Sequence, residues 1–209
     1  MCKSAVLYIH GKGGSADECV HYMPLFPDCE VFGLNYQADT PWAAGAEIKA
    51  AVESLKSEHK YKKIILIAVS IGAFFSMNAG IDSMISRAYF ISPVVNMERL
   101  ICDMMRLANV SEDELKSRGV IHTDFNEDLS WEYLCYVREH PVIWNVPTQI
   151  LYGELDNITS FATLNEFAEN HSAAITVMKR GEHWFHTDGQ MSFLDAWIKN
   201  CEANILSEK

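Results

Sequence analysis

Ile64-Ile65-Leu66-Ile67-Ala68-Val69-Ser70-Ile71-Gly72 is the stretch whose reading decides the fold. The apolar run Ile64–Ile67 reads as a strand buried on both faces, the pattern of a parallel strand in an α/β sheet. Ala68-Val69-Ser70-Ile71-Gly72 then turns the chain abruptly into a helix, with a serine at the corner. Such a corner exposes a hydroxyl above the sheet and places the next backbone N–H beside it, which is how a nucleophilic serine is built. Gly72 lets the turn pass close to its neighbours. Ala68 stands where the usual pattern has glycine and is small enough to do nearly the same. The plainer reading makes Ser70 a strand-end residue that only caps a helix. The two readings part on whether the chain also supplies a base, an acid and an oxyanion site.

Outward from this corner, short apolar runs alternate with helical patterns. Candidate strands are Ser4–Ile9, Cys29–Leu34, Lys63–Val69, Arg87–Ile91, Thr148–Tyr152 and Ala174–Met178. Pro41 and Trp42 open a helix whose apolar positions Ile48, Val52 and Leu55 fall at helical spacing. A second helix follows Ser70. The last runs from about Gly189, with Phe193, Leu194, Trp197, Ile198 and Cys201 on one side. The alternation predicts an α/β fold with a doubly wound, about six-stranded parallel sheet and right-handed crossovers. From Asn96 to Asn145 the rhythm breaks and no strand is read. Ser111-Glu112-Asp113-Glu114 looks like a capping box, and Trp131, Tyr133, Leu134, Tyr136 and Val137 suggest another helix. So long a stretch is not a bare loop in a compact domain. Residues 96–145 are read as a small helical cap inserted within a single domain, 1–209, lying over the carboxyl edge of the sheet.

A chain of 209 residues suffices for one sizeable core. The net charge of −11 repels phosphate backbones and anionic lipid, which argues against nucleic acid and membrane surfaces as partners. The six cysteines, Cys2, Cys19, Cys29, Cys102, Cys135 and Cys201, form no C-x-x-C pair and are read as reduced thiols of a cytoplasmic protein. No apolar run approaches the ~20 residues of a membrane span. Ala5-Val6-Leu7-Tyr8-Ile9 is too short for a signal peptide and lacks a cleavage site.

A serine hydroxyl needs a base within hydrogen-bond reach, and the base needs an orienting partner. His183, in Gly181-Glu182-His183-Trp184, follows the last predicted strand and falls at the same sheet edge as Ser70, where open α/β sheets bind ligands. His186 is its rival. Asp156, in Tyr152-Gly153-Glu154-Leu155-Asp156-Asn157, lies on the loop behind the fifth strand, where a carboxylate can accept the imidazole Nδ1–H. Glu154 is its rival. Oxyanion donors are expected from the amide of Ile71 and from the loop His10-Gly11-Lys12-Gly13-Gly14-Ser15, through Lys12 or, failing that, Gly11. That loop lacks both the G-x-G-x-x-G and the G-x-x-x-x-G-K-[ST] spacing, which argues against nucleotide binding. His21, His59, His122, His140 and His171 show no ligand spacing, so neither metal nor cofactor is expected. Met104 and Met105 are candidates for an acyl pocket or for plain packing, and Trp184 for a pocket wall or the core.

The order Ser70, Asp156, His183, with His10-Gly11 ahead of them, resembles the α/β-hydrolase superfamily over nearly the whole chain. The A-x-S-x-G corner is similar to that of some small bacterial lipases. The resemblance begins at the superfamily's usual third strand, so it implies a compact, all-parallel sheet without the antiparallel first hairpin. It also implies a serine hydrolase: Ser70 as nucleophile, His183 as base, Asp156 as orienting acid, and the Lys12 and Ile71 amides as oxyanion hole. The expected substrate is a small carboxylic ester or thioester. A peptidase or amidase, or a C–C hydrolase with the same residues, is the alternative within the fold. A non-catalytic protein that binds small ligands on this scaffold is the alternative outside enzymology.

Overall fold

The computed structural model describes residues 3–207, so Cys2 lies outside the described residues. Six strands form one parallel sheet: β1 (Ser4–Ile9), β2 (Glu30–Leu34), β3 (Lys63–Val69), β4 (Arg87–Ile91), β7 (Thr148–Gly153) and β8 (Ala173–Met178). Their order is β2-β1-β3-β4-β7-β8, and every pairing is parallel. The inner strands β1, β3, β4 and β7 are buried almost end to end, which is why they read as unbroken apolar runs. The edge strands β2 and β8 are only partly buried, and their sequences are correspondingly mixed.

Alternate strand residues face opposite layers. Val6, Tyr8, Ile65, Ile67, Tyr89, Ile91 and Leu151 join one core cluster. It is closed by Tyr22, Leu25 and Phe26 from a 3-10 helix (Ala16–Leu25) and its end, and by Leu194, Trp197 and Ile198 from α7 (Asp188–Ser207). In α1 (Pro41–Ser57), Ile48, Val52 and Leu55 are buried at the spacing the sequence showed, and α1 packs on α2 (Ile71–Asn78). α6 (Phe161–Asn170) connects β7 to β8. Five cysteines, Cys19, Cys29, Cys102, Cys135 and Cys201, are free thiols.

Two details of α7 depart from the sequence reading. Phe193 is not on the buried side but 36% exposed, whereas Gln190 is buried. Gln190 is buried by a reciprocal cap. Thr187 Oγ1 accepts from the Gln190 amide at 3.3 Å, and Gln190 Oε1 accepts from the Thr187 and His186 amides at 3.3 and 3.1 Å. This satisfies amides that the first helical turn leaves without partners.

Asn96–Ile143 forms a compact unit of its own, distinct from the sheet-bearing remainder. It contains α3 (Met97–Leu107), α4 (Glu112–Arg118) and α5 (Trp131–Glu139). Asn96, Ser111 and Ser130 each cap the helix that follows, accepting from the amides of Arg99, Glu114 and Tyr133. Arg138 joins the three helices, bonding Glu98 and both carboxylate oxygens of Glu112. The expectation that this stretch lacks strands is corrected: β5 (Val120–His122) pairs antiparallel with β6 (Asp128–Ser130). Three-residue strands with one buried side chain each, Ile121 and Leu129, carry too short an alternation to be read from sequence.

Candidate active site

Ser70 sits between β3 and α2 with φ 51° and ψ −121°. A serine with positive φ costs on the order of 1–3 kcal/mol and persists only where its surroundings hold it. Here they do. The Ser70 amide donates to Ile91 O at 3.0 Å, and Ser70 O accepts from the amides of Val94 and Ala73 at 3.1 and 3.2 Å. Gly72 is required by close approach: a Cβ there would lie 2.4 Å from His10 O. Ala68 is fully buried in β3 with its methyl accommodated, so the departure from glycine at that place is harmless.

His183 lies on the loop between β8 and α7. Its Nδ1 is 2.7 Å from Asp156 Oδ2 and its Nε2 is 2.9 Å from Ser70 Oγ. A carboxylate only accepts, so the Nδ1–H donates to Asp156 and Nε2 is left to accept from the Ser70 hydroxyl. The Asp156 side chain is fully buried and that of His183 is 14% exposed. The second carboxylate oxygen, Oδ1, accepts from the amides of Ile158 and Thr159 at 2.8 and 2.9 Å. Asp156 is therefore anchored to its own loop by one oxygen while the other faces the imidazole.

The rivals point elsewhere. Glu154 accepts from the Arg180 amide at 2.9 Å. His186 donates through Nδ1 to Trp184 O at 2.8 Å and stacks on the Trp184 ring at 4.3 Å. Trp184 itself is 70% exposed, so it is not a core residue. The loops bearing Asp156 and His183 are latched together. The Leu155 amide donates to Gly181 O at 2.7 Å, and a Cβ on Gly153 would lie 2.4 Å from Glu182 O.

The loop after β1 brings its backbone to the same place. A Cβ on Gly11 would stand 3.2 Å from Ser70 Cβ. Gly14 N–H donates to Gly11 O at 3.1 Å, closing a turn in which Lys12 and Gly13 are central and Gly13 has φ +75°. His10 stacks flat on Tyr36 at 4.3 Å and bonds Gly11 O through Nδ1 at 2.8 Å. Tyr36 donates to His10 O at 2.9 Å, and burial pushes its phenol up to about 12, so it stays a donor at ordinary pH. Ile71 opens α2, where its amide has no acceptor within the helical ladder. Met105 is buried within the Asn96–Ile143 unit's α3 and Met104 is partly buried. The parts played by the Val94 amide and Tyr36 are not legible in the sequence. A backbone amide leaves no residue-type signal, and Tyr36 matters only through its place beside His10.

Among the described residues, no group of three or more His, Cys, Asp and Glu side chains is placed to hold a metal ion. No helix among them is long and apolar enough to cross a membrane.

No protein-family model matches the chain, and no characterised protein matches it by sequence. Solved structures do match it. Est1E from Butyrivibrio proteoclasticus superposes with a TM-score of 0.76 at 13% identity, over 99% of this chain and 89% of that one. Alpha/beta hydrolase domain-containing protein 10 from mouse gives 0.74 at 13% identity, over 96% and 90%. XC6422 from Xanthomonas campestris, described as an a/b serine hydrolase without lid, gives 0.64 at 14% identity, over 94% and 79%. At these identities the likeness is one of fold, and the fold is that of the α/β hydrolases.

Proposed function

We propose that the protein is a serine hydrolase that cleaves a small carboxylic ester or thioester through an acyl-enzyme. The observation that carries this reading is the hydrogen-bonded chain Ser70–His183–Asp156, with links of 2.9 and 2.7 Å, closed on a serine held at positive φ. In the proposed reaction, Ser70 Oγ attacks the acyl carbonyl as its proton passes to His183 Nε2. Asp156 holds the tautomer and stabilises the imidazolium. The Ile71 and Lys12 amides stabilise the oxyanion, and preorganised donors of this kind are worth on the order of 10²–10³-fold each. His183 returns the proton to the leaving group, then activates the water that frees the acid.

The test is turnover of p-nitrophenyl acetate and butyrate, together with fluorophosphonate labelling mapped by mass spectrometry. Labelling at Ser70 with ester turnover is the expected result; a folded protein that does neither refutes the reading. Ferulic acid is bound in one structure of the Butyrivibrio protein, so methyl ferulate belongs in the substrate panel.

Asp156→Asn separates orientation from folding. Asparagine keeps a carbonyl oxygen for the Ile158 and Thr159 amides but puts an NH₂ group where the imidazole N–H must donate. The variant is expected to fold and to lose on the order of 10³–10⁴-fold in kcat for p-nitrophenyl butyrate. Steady-state kinetics beside a thermal melt check this, and a loss under tenfold would remove Asp156 from the mechanism.

A further inference from the structure

We propose that Glu18 is a positioning residue: joined to Tyr8, it holds the loop after β1 in the shape that the oxyanion amide requires. This inference rests on the serine-hydrolase reading above. The loop Gly11-Lys12-Gly13-Gly14 contains three glycines, so its backbone has unusual freedom when unsupported. An amide that stabilises developing charge must already be in place, because reorganisation at the moment of reaction forfeits its advantage. One limb of the loop is held at Gly11, by His10 and by contact with Ser70. The Gly14 N–H to Gly11 O bond closes the turn but does not tie it to the sheet.

Glu18 supplies that tie. Its Oε1 accepts from the Ser15 amide at 3.1 Å. Its carboxylate lies so close to Gly14 that a Cβ there would be 2.9 Å from Oε1 and 3.2 Å from Oε2. Oε2 accepts from the Tyr8 hydroxyl. Tyr8 belongs to β1, is 2% exposed, and stacks on Tyr22 at 5.2 Å. Burial pushes its phenol far above the ordinary range. One carboxylate thus spans from a rigid inner strand to the far limb of a glycine loop. A residue that merely caps the 3-10 helix needs the Ser15 amide only. A phenol donated from within the core is what the positioning role adds.

The experiment compares Glu18→Ala, Glu18→Gln and Tyr8→Phe with the unaltered protein, each assayed well below its own melting temperature. Glu18→Ala is expected to lower kcat for p-nitrophenyl butyrate by about 10- to 100-fold with KM within about twofold. The rate of fluorophosphonate labelling should fall in parallel, since it depends on the same amides. Glu18→Gln should recover most of that loss, because its carbonyl still accepts from Ser15 and its NH₂ can donate to the Tyr8 oxygen. Tyr8→Phe should lower kcat in the same direction, and it decides the matter if Glu18→Ala does not fold. Unchanged kcat in Glu18→Ala or Tyr8→Phe, a loss confined to KM, or equal losses in the alanine and glutamine variants would overturn the proposal while the unaltered protein remains active. If the unaltered protein neither turns over esters nor labels at Ser70, the hydrolase reading itself fails and this inference falls with it.

Discussion

Ser70→Ala is expected to abolish ester turnover, by on the order of 10⁴- to 10⁶-fold in kcat, in a protein that still folds. The backbone hydrogen bonds that hold the corner in its unusual conformation are made by the Ser70 main chain, to Ile91 O and from the amides of Val94 and Ala73, and none of them uses the hydroxyl. Alanine keeps the Cβ, so the backbone strain at φ 51° is the same in both proteins. The hydroxyl is bonded to His183 Nε2, whose side chain retains 14% exposure, so water can replace the lost partner. The melting temperature should therefore move by no more than about 1 kcal/mol of stability allows. Labelling and turnover should disappear together. A Ser70→Ala protein with near-native turnover would eliminate the nucleophile and the mechanism built on it.

Gly153→Ala should damage both fold and activity, through a contact rather than through chemistry. Gly153 ends β7, opposite Met178 of β8. A Cβ there would lie 2.4 Å from Glu182 O and 2.6 Å from Gly181 O. Both atoms are backbone and cannot swing aside as a side chain would. The strand end or the 181–183 loop must move, and His183 is on that loop. Overpacking of this kind costs about 1–3 kcal/mol, and a shift of about 1 Å in a reacting group costs on the order of 10²-fold in rate. Activity should thus fall further than stability explains, read as kcat at a temperature where the variant is fully folded. Gly189→Ala is the matched control. It lies in α7 with nothing within 4 Å of the added methyl and should be neutral or stabilising by up to about 1 kcal/mol. Native activity and melting temperature in Gly153→Ala would show that the two loops are not packed as described.

The sequence was most legible where burial is simplest. The inner strands β1, β3, β4 and β7 are covered on both faces, and selection for apolar residues at every position makes such strands stand out. α3 is less legible, although Met97, Ile101 and Met105 recur at a spacing of four, because the surrounding sequence offers no strand against which to place it. The β5–β6 hairpin was beyond reading at its length. The Thr187–Gln190 cap was readable in principle as a T-x-x-Q start, but the apolar run beginning after it drew the helix start to Gly189.

By itself, the sequence determined the six-stranded parallel order of elements and named two loops and one corner at the same edge of the sheet. Local apolar pattern and turn chemistry suffice for that, because both act between near neighbours in the chain. Only the tertiary structure decided that His183 rather than His186 faces Ser70, and Asp156 rather than Glu154 faces His183. Those bonds join residues 113 and 27 positions apart. Their direction depends on how far each loop carries its side chains before the next backbone bond turns it: Asp156 is turned by the Ile158 and Thr159 amides, and Glu154 is drawn off by the Arg180 amide. The support of the glycine loop by Tyr8 and Glu18 belongs to the same class, since it exists only once β1 and the 3-10 helix are packed together.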